Sequence, residues 1–277
     1  MTTVPANALE SQFEAGLLGL SLLRSWPFAD RETVERELAA IAAIAGDRHE
    51  FALDRLDLDA GYAAWSQTYD TNPNPLLLAE EPAVAALLAN VRPGVALDAA
   101  CGTGRHAARL IAAGHRVIGV DRSEAMLERA RSAATGAEFW TGELGSLPVD
   151  DGSIDLALCC LALTHCPSVG EPLRDLARTL RPGGRLVLSD VHPVAVVTGA
   201  HAFFHREDRS RAVIRNEVHW HSAYLEAFEE AGLAVRHCLE PAFSPAILEA
   251  FLAKGSTPTL RALIGLPYVL VWECERG

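Results

Sequence analysis

Positive charge is scarce in this sequence: 24 Lys and Arg stand against 36 Asp and Glu, a formal net charge of −12. Binding nucleic acid through its phosphates requires clustered Lys and Arg, so this balance argues against a nucleic-acid partner, and equally against an anionic membrane surface. A small neutral or cationic substrate fits more easily. There is no uninterrupted apolar run of the length a membrane span requires. Residues Met1–Glu10 lack the basic flank and apolar stretch of a secretory signal, and a cytoplasmic location is the expectation. The six cysteines, Cys101, Cys159, Cys160, Cys166, Cys238 and Cys274, form no C-x-x-C pair, and several sit in apolar runs. Buried reduced thiols are therefore expected, not a disulfide framework. Internal repeats and low-complexity tracts are missing too.

What the chain does contain is alternation. Its 277 residues, 49% of them hydrophobic, suffice for one sizeable α/β core and a smaller appendage. Gln12–Leu23 and Arg31–Ala45 carry apolar residues at helical spacing, with Asp30 a plausible N-cap, so residues 1–60 read as a helical extension. The charged stretch Asp47–Asp59 reads as a linker or a further helical turn. Tyr62, Trp65 and Tyr69 follow, then Asn72-Pro73 and Asn74-Pro75, then a helical pattern over Leu76–Asn90. From there short apolar runs alternate with helices. The strands expected are Val95–Ala99, His115–Val120, Glu138–Thr141, Ile154–Leu161, Arg185–Ser189, Ala234–Leu239 and Tyr268–Cys274. Ser123 should cap the helix that runs to Ala133, and Ser168 with Glu171 forms a capping box before the next. Such alternation predicts a doubly covered, mostly parallel sheet over residues 61–277. His192–Trp220 breaks the pattern and reads as an inserted lid.

The stretch Leu97-Asp98-Ala99-Ala100-Cys101-Gly102-Thr103-Gly104 places glycines between a strand and a helix, where a side chain would keep a nucleotide-like ligand off the backbone. Nineteen positions after Gly102, Asp121 ends the second apolar strand, at the spacing of a carboxylate that accepts ribose hydroxyls. The pair alone does not identify the ligand. Gly102-Thr103-Gly104-Arg105-His106-Ala107 also fits a loose dinucleotide turn, which leaves a nicotinamide-dependent oxidoreductase open.

The stretches LDAACGTGRHA, GVDRSEAMLERAR, TGELGSLPVDDGSIDLAL, LRDLARTLRPGGRLVLSDVHP and YLEAFEEAGLAV follow one another in order. Over roughly Tyr62–Glu275 this set resembles the class I S-adenosylmethionine-dependent methyltransferases. The resemblance implies a Rossmann-like α/β fold with a mostly parallel seven-stranded sheet and S-adenosyl-L-methionine as cofactor. It further implies that Gly102, Thr103 and Gly104 admit the methionine portion, with Asp98 nearby, and that Asp121 holds the ribose. Arg122 and Met126 would flank the adenine, Glu143 and Leu144 would read its edge, and the Leu161 carbonyl would meet the cofactor's amino group. Tyr69 either closes over the methionine end or packs under the N-terminal helices. One departure stands out: Ala100 occupies a position where many members carry glycine, and its extra methyl is expected to be tolerated.

For methyl transfer the acceptor's lone pair must lie in line with the methyl–sulfur bond, so placement does most of the work. A phenol gains from a base where a neutral amine does not. His165 and His192, which follow the fourth and fifth strands, are the candidate bases, and oxygen is slightly favoured over nitrogen or carbon as acceptor atom. His201-x-x-x-His205 on a helical face and His219-x-His221 on a strand would suit zinc, but no cysteine or carboxylate completes a recognisable set, so no metal is expected. Phe203, Phe204 and Trp220 suit a flat acceptor or fill a core. A member that binds the cofactor without transferring methyl is the remaining alternative. The first sixty residues cap the site, form a homodimer surface, or cover the sheet.

Overall fold

The computed structural model describes residues 6–44, 53–66, 68–69, 74–206, 208, 210–253 and 258–277. In chain order the elements are α1 (Ala6–Ser25), α2 (Arg31–Ile44), β1 (Leu53–Leu56), α3 (Leu58–Trp65) and α4 (Pro75–Leu88). Then come β2 (Val95–Ala99), α5 (Arg105–Ala112), β3 (Arg116–Asp121), α6 (Glu124–Ala133), β4 (Glu138–Thr141) and β5 (Ile154–Cys160). The chain continues through α7 (Gly170–Thr179), β6 (Leu180–Val191), α8 (Pro193–Val197), β7 (Ala202–His205) and β8 (Arg211–Ile214). It closes with α9 (His221–Glu230), β9 (Leu233–Leu239), α10 (Pro245–Leu252) and β10 (Val269–Arg276).

Seven strands form one sheet in the order β4-β3-β2-β5-β6-β10-β9. The first five run parallel, while β10 is antiparallel to both β6 and β9. The strand order reverses between β2 and β5, and in such sheets the crevice at that reversal, beyond the carboxyl ends, receives ligands. Alternation along the strands separates two buried layers. Leu97 and Ala99 face Leu173 and Leu176 of α7 and Phe228 of α9, whereas Ala96, Leu156 and Leu158 face Val84 of α4, Leu110 of α5 and Ile247 of α10. Covering both faces is why the strands read as near-continuous apolar runs.

The caps follow the sequence with one exception. Asp30 accepts from the Thr33 N–H at 2.8 Å and Ser123 from the Met126 N–H at 3.4 Å. The expected Ser168–Glu171 capping box does not form: Val169 is the N-cap of α7 without a side-chain bond, and the Ser168 hydroxyl accepts from Gly170 N–H at 3.3 Å. The turn beginning at Gly170 starts one residue too late for Ser168 to reach.

A second, three-stranded sheet has the order β1-β8-β7, β1 parallel and β7 antiparallel to β8. The stretch read as linker or helical turn thus holds a strand and then α3, capped by Asp57 on the Ala60 N–H at 2.8 Å; Asp47–Ala52 lies outside the described residues. Residues on either side of position 60 join the 192–220 segment in one unit. Trp65 stacks on Phe204 at 4.9 Å between ring centroids, and Leu56, Leu58 and Tyr62 pack on Ile214 and Ala212. Gly61 makes this contact close, since a Cβ there would sit 2.5 Å from Ile214 Cδ1. The alternation of β1 and β8 is too short to be read as strands without knowing that they pair.

Candidate functional site: the carboxyl edge of the parallel sheet

Two non-glycine residues among those described take positive φ, Ala100 and Leu161, both at +56°. They directly follow β2 and β5, the adjacent strands that flank the reversal in strand order. Side chains avoid this region at a cost of order 1–2 kcal/mol, and such outliers cluster at functional sites. At Ala100 the extra methyl is accommodated, but in a conformation that glycine takes without penalty. Ala100→Gly is expected to stabilise the fold by about 0.5–1 kcal/mol and to raise the Tm by about 2 °C in scanning calorimetry. A lowered Tm would mean that the methyl group packs usefully.

Beyond Ala100 the turn winds through Gly102 (φ +53°) and Gly104 (φ +83°) into α5. A Cβ on Gly104 would lie 3.1 Å from Ala130 Cα, so glycine lets α5 pack on α6. The Cβ position of Gly102 has nothing within 4 Å, so its backbone faces open space. Asp121, at the end of β3, organises this turn: Oδ2 accepts from Gly102 N–H at 2.8 Å and Oδ1 from Ser123 N–H at 2.9 Å. Burial raises the Asp121 pKa against the pull of these bonds. Asp98, only 2% exposed, leaves Oδ2 without a hydrogen-bond partner among the described residues. Burial pushes its carboxyl up to about 6, although the neighbouring His106 and Arg105 pull the other way. An open glycine backbone, a half-engaged carboxylate and an orphaned buried carboxylate oxygen fit a ligand carrying vicinal hydroxyls and an ammonium group.

The other residues singled out in the sequence distribute around this edge. Thr103 is buried in the turn. Arg122 pairs with Asp59 of α3 at 2.8 Å and lies 3.6 Å from Glu143, so those two exposed positions do come together. Leu144 is half-buried on the core. Met126 is 1% exposed and lies inside the protein instead of sharing the open edge with Arg122, because the first turn of α6 carries it inward. Tyr69 stands against Trp65 at 4.9 Å between ring centroids, and its charge would be felt by Arg105.

On the far side of β5 a second arrangement forms. His165 Nε2 lies 2.9 Å from the Tyr62 hydroxyl of α3. Burial lowers His165 to about 4, leaving a neutral imidazole near pH 7. Burial also raises Tyr62 well above its ordinary value, reinforced by the charges of Tyr69, Asp121 and Asp190. The turn that carries His165 is held from two sides. Asp190, buried at the end of β6, accepts from Thr164 N–H at 3.1 Å and from the Tyr224 hydroxyl at 2.5 Å. His219 Nε2 lies 3.1 Å from Leu163 O and 2.9 Å from Cys166 O, and the Glu217 N–H donates to Thr164 O at 2.7 Å. The segment read as a lid thus fixes the His165 turn.

The remaining histidines do not combine as their spacing suggested. Ala202–His205 is a strand, so His201 and His205 do not share a helical face, and His219 and His221 do not share a strand because His221 opens α9. His221 instead meets His192, both Nε2 atoms 3.0 Å from Glu240 Oε1. Val194 N–H donates to His192 Nδ1 at 3.1 Å, so a neutral His192 carries its proton on Nε2 and gives it to Glu240. That ring is an N-cap in an ion-pair cluster, with neither nitrogen offering a lone pair to a substrate, and it does not stand beside His165 as a base. Sequence reading missed Tyr62 as a partner of His165, and it missed Glu80, Arg105 and His106. Glu80, buried on α4, lies 2.9 Å from the Arg105 guanidinium and 3.0 Å from His106 Nε2. The residues Arg105-His106 were visible after the glycine turn, but nothing local announced a carboxylate from α4.

The methyltransferase domain family matches residues 97–188, from β2 to β6. The malonyl-[acyl-carrier protein] O-methyltransferase of Erwinia pyrifoliae is 41% identical over 106 residues, which cover 37% of this chain and 40% of that protein. The demethylmenaquinone methyltransferase of Clavibacter sepedonicus is 38% identical over 97 residues, 34% of this chain and 40% of that protein. The chain spans about half the length, or less, of the curated relatives it matches first, at 40%, 46% and 51%. A crystal structure of an S-adenosylmethionine-dependent methyltransferase from Mesorhizobium loti superposes with a TM-score of 0.55 and 26% identity, covering 72% of this chain and 98% of that one. No described helix is long and apolar enough to cross a membrane. Residues 97–188 thus carry a methyltransferase domain, and the chain has the fold of class I S-adenosylmethionine-dependent methyltransferases.

Proposed function

We propose that this protein transfers a methyl group from S-adenosylmethionine to a small-molecule acceptor, and that the accepting atom is an oxygen of a hydroxyl group. The methyltransferase domain match and the likeness to a solved S-adenosylmethionine-dependent methyltransferase take the support from an oxidoreductase sharing the glycine turn. Gly102, Thr103 and Gly104 would admit the methionine portion, Asp98 and Tyr69 would attend its ammonium end, and Asp121 would hold the ribose. Arg122, Glu143 and Leu144 would surround the adenine, with Met126 beneath and the Leu161 backbone beside the amino group. When bound, this cofactor supplies an electrophilic methyl group on a sulfonium.

The observation that carries the oxygen assignment is the Tyr62–His165 pair, a neutral imidazole 2.9 Å from a phenol under the β1-β8-β7 cover. A hydroxyl must lose a proton as its oxygen forms the new bond, and the Tyr62 hydroxyl can take it while handing its own to His165 Nε2. Relatives named for a malonyl group favour a second reading, a carboxylate acceptor, which needs no base. Formation of S-adenosylhomocysteine in parallel panels of phenols, alcohols and carboxylic acids separates the two. Turnover with hydroxyl compounds alone is expected, whereas turnover confined to acids would replace the reading. Tight cofactor binding without any turnover would leave a cofactor-binding protein that transfers no methyl.

Asp98 makes cofactor binding depend on pH. A carboxyl that titrates at about 6 is ionised above that value, the form an ammonium group needs. Affinity for S-adenosylhomocysteine is expected to be level above pH 7 and to fall by about tenfold per unit below 6. Calorimetry across pH 5–8 measures this, and Asp98→Asn should flatten the profile at a lower affinity. A level profile in the unaltered protein would remove Asp98 from the ammonium.

A further inference from the structure

Asn216, on the connection from β8 to α9, is only 5% exposed. Its amide nitrogen Nδ2 donates to Ala200 O at 3.1 Å, and its backbone N–H donates to His201 Nδ1 at 3.3 Å. The first bond settles which end of the amide is oxygen, since a backbone carbonyl can accept only from the nitrogen. Oδ1 is buried and has no hydrogen-bond partner among the described residues. Buried amide oxygens are nearly always paired, so an orphaned one marks a place where a partner from outside the protein fits.

The neighbours of Asn216 fix where that oxygen lies. Glu217 N–H donates to Thr164 O at 2.7 Å, and the Thr164 hydroxyl donates to Glu217 O at 3.3 Å. On the other side, Ala200 and Leu161 pack on the same buried cluster of Val191, Ala195 and Val196. Asn216 is therefore tied to both ends of the short loop that runs from Leu161, with its φ of +56°, to His165. One end of that loop is the ligand edge of the sheet. The other carries the Tyr62–His165 pair.

We propose that Asn216 Oδ1 accepts a hydrogen bond from the methyl acceptor, which therefore carries a second O–H or N–H donor besides the hydroxyl that is methylated, a class that rests on the hydroxyl reading above and narrows it. In turnover the first hydroxyl's oxygen forms the new bond to carbon, the carbon–sulfur electron pair stays with sulfur, and the proton leaves to Tyr62. The second group takes no part in this exchange and orients the compound. A site with a buried acceptor discriminates strongly against an analogue lacking the donor, because its oxygen is then left unpaired. For a compound with two hydroxyls, the first methylation removes one donor. The product is then a poor substrate, and transfer stops after one methyl group.

The test compares kcat/KM for the three benzenediols with that for their monomethyl ethers, the methoxyphenols, read as S-adenosylhomocysteine formed. At least one diol is expected to exceed its ether by about tenfold or more. Asn216→Ala should level that pair while the affinity for S-adenosylhomocysteine, measured by calorimetry, stays unchanged. Equal kcat/KM for every diol and its ether in the unaltered protein overturns the proposal, whether or not the variant folds. A preference that persists in folded Asn216→Ala overturns it as well. Turnover confined to carboxylic acids strikes the hydroxyl reading instead, and the hydroxybenzoates against the methoxybenzoates then decide Asn216 by the same ratio. If no compound is turned over, calorimetric affinities of the same pairs for the protein loaded with S-adenosylhomocysteine decide, and equal affinities overturn the proposal.

Discussion

Asp121→Ala is expected to weaken S-adenosylhomocysteine binding by about 100-fold, measured by calorimetry on protein whose fold is verified by circular dichroism. The carboxylate already accepts one backbone N–H on each oxygen, from Gly102 and from Ser123. Each oxygen retains lone-pair capacity, and vicinal ribose hydroxyls would use it. Hydrogen bonds to a charged group contribute about 1.5–3 kcal/mol each, so two of them account for a loss of about 3 kcal/mol or more. The same change frees the Gly102 N–H, so the turn loosens and some of the loss arises from a less ordered site. Asp121→Asn separates the two effects. An amide keeps one acceptor for the turn but presents a donor at the other position, and an intermediate loss is expected. Unchanged affinity in a folded Asp121→Ala protein would remove this turn as the cofactor's site.

Most of what depends on local pattern was legible in the sequence, the Ser168–Glu171 capping box aside. Seven apolar runs became seven strands of one sheet, with ends displaced by two residues at most except that β6 begins five residues early, at Leu180, because parallel strands buried on both faces must be apolar along their length. The glycine turn and Asp121 were readable because a tight turn and a strand-end carboxylate are each encoded within a few residues. The relations across long separations were not. β1 and β8 pair over an interval of more than 150 residues, and four-residue strands carry too little alternation to announce themselves. His192 and His165 looked equivalent, each just past a strand. Their difference lies in Val194 N–H and Glu240 on one side and in Tyr62 on the other. Met126 was placed beside the adenine by resemblance, and its burial within the first turn of α6 is a matter of helix phase that the motif does not spell out. Glu80 was invisible beside a Pro-interrupted helix until packing brought it under α5.

His165→Phe and Tyr62→Phe are each expected to lower kcat for a hydroxyl acceptor by about 100-fold or more, with the affinity for S-adenosylhomocysteine unchanged. The imidazole stays neutral down to about pH 4, so the unaltered enzyme's rate should show no inflection from this group between pH 6 and 7. The sign of its stability contribution is fixed by the same shift. Because the folded pKa is depressed, unfolding takes up a proton, and the contribution is complete above the unfolded value of about 6.5. It declines as pH falls toward 4, and His165→Phe should shallow that acid dependence in denaturation curves. Tyr62→Phe keeps the ring that packs on Trp65 and Ile214, so its fold should hold while the proton's first stop is gone. Loss of kcat in both variants, with KM for the cofactor constant, identifies a pair acting on the acceptor. Full activity in either folded variant would mean that the acceptor arrives already deprotonated, and the carboxylate reading would take its place.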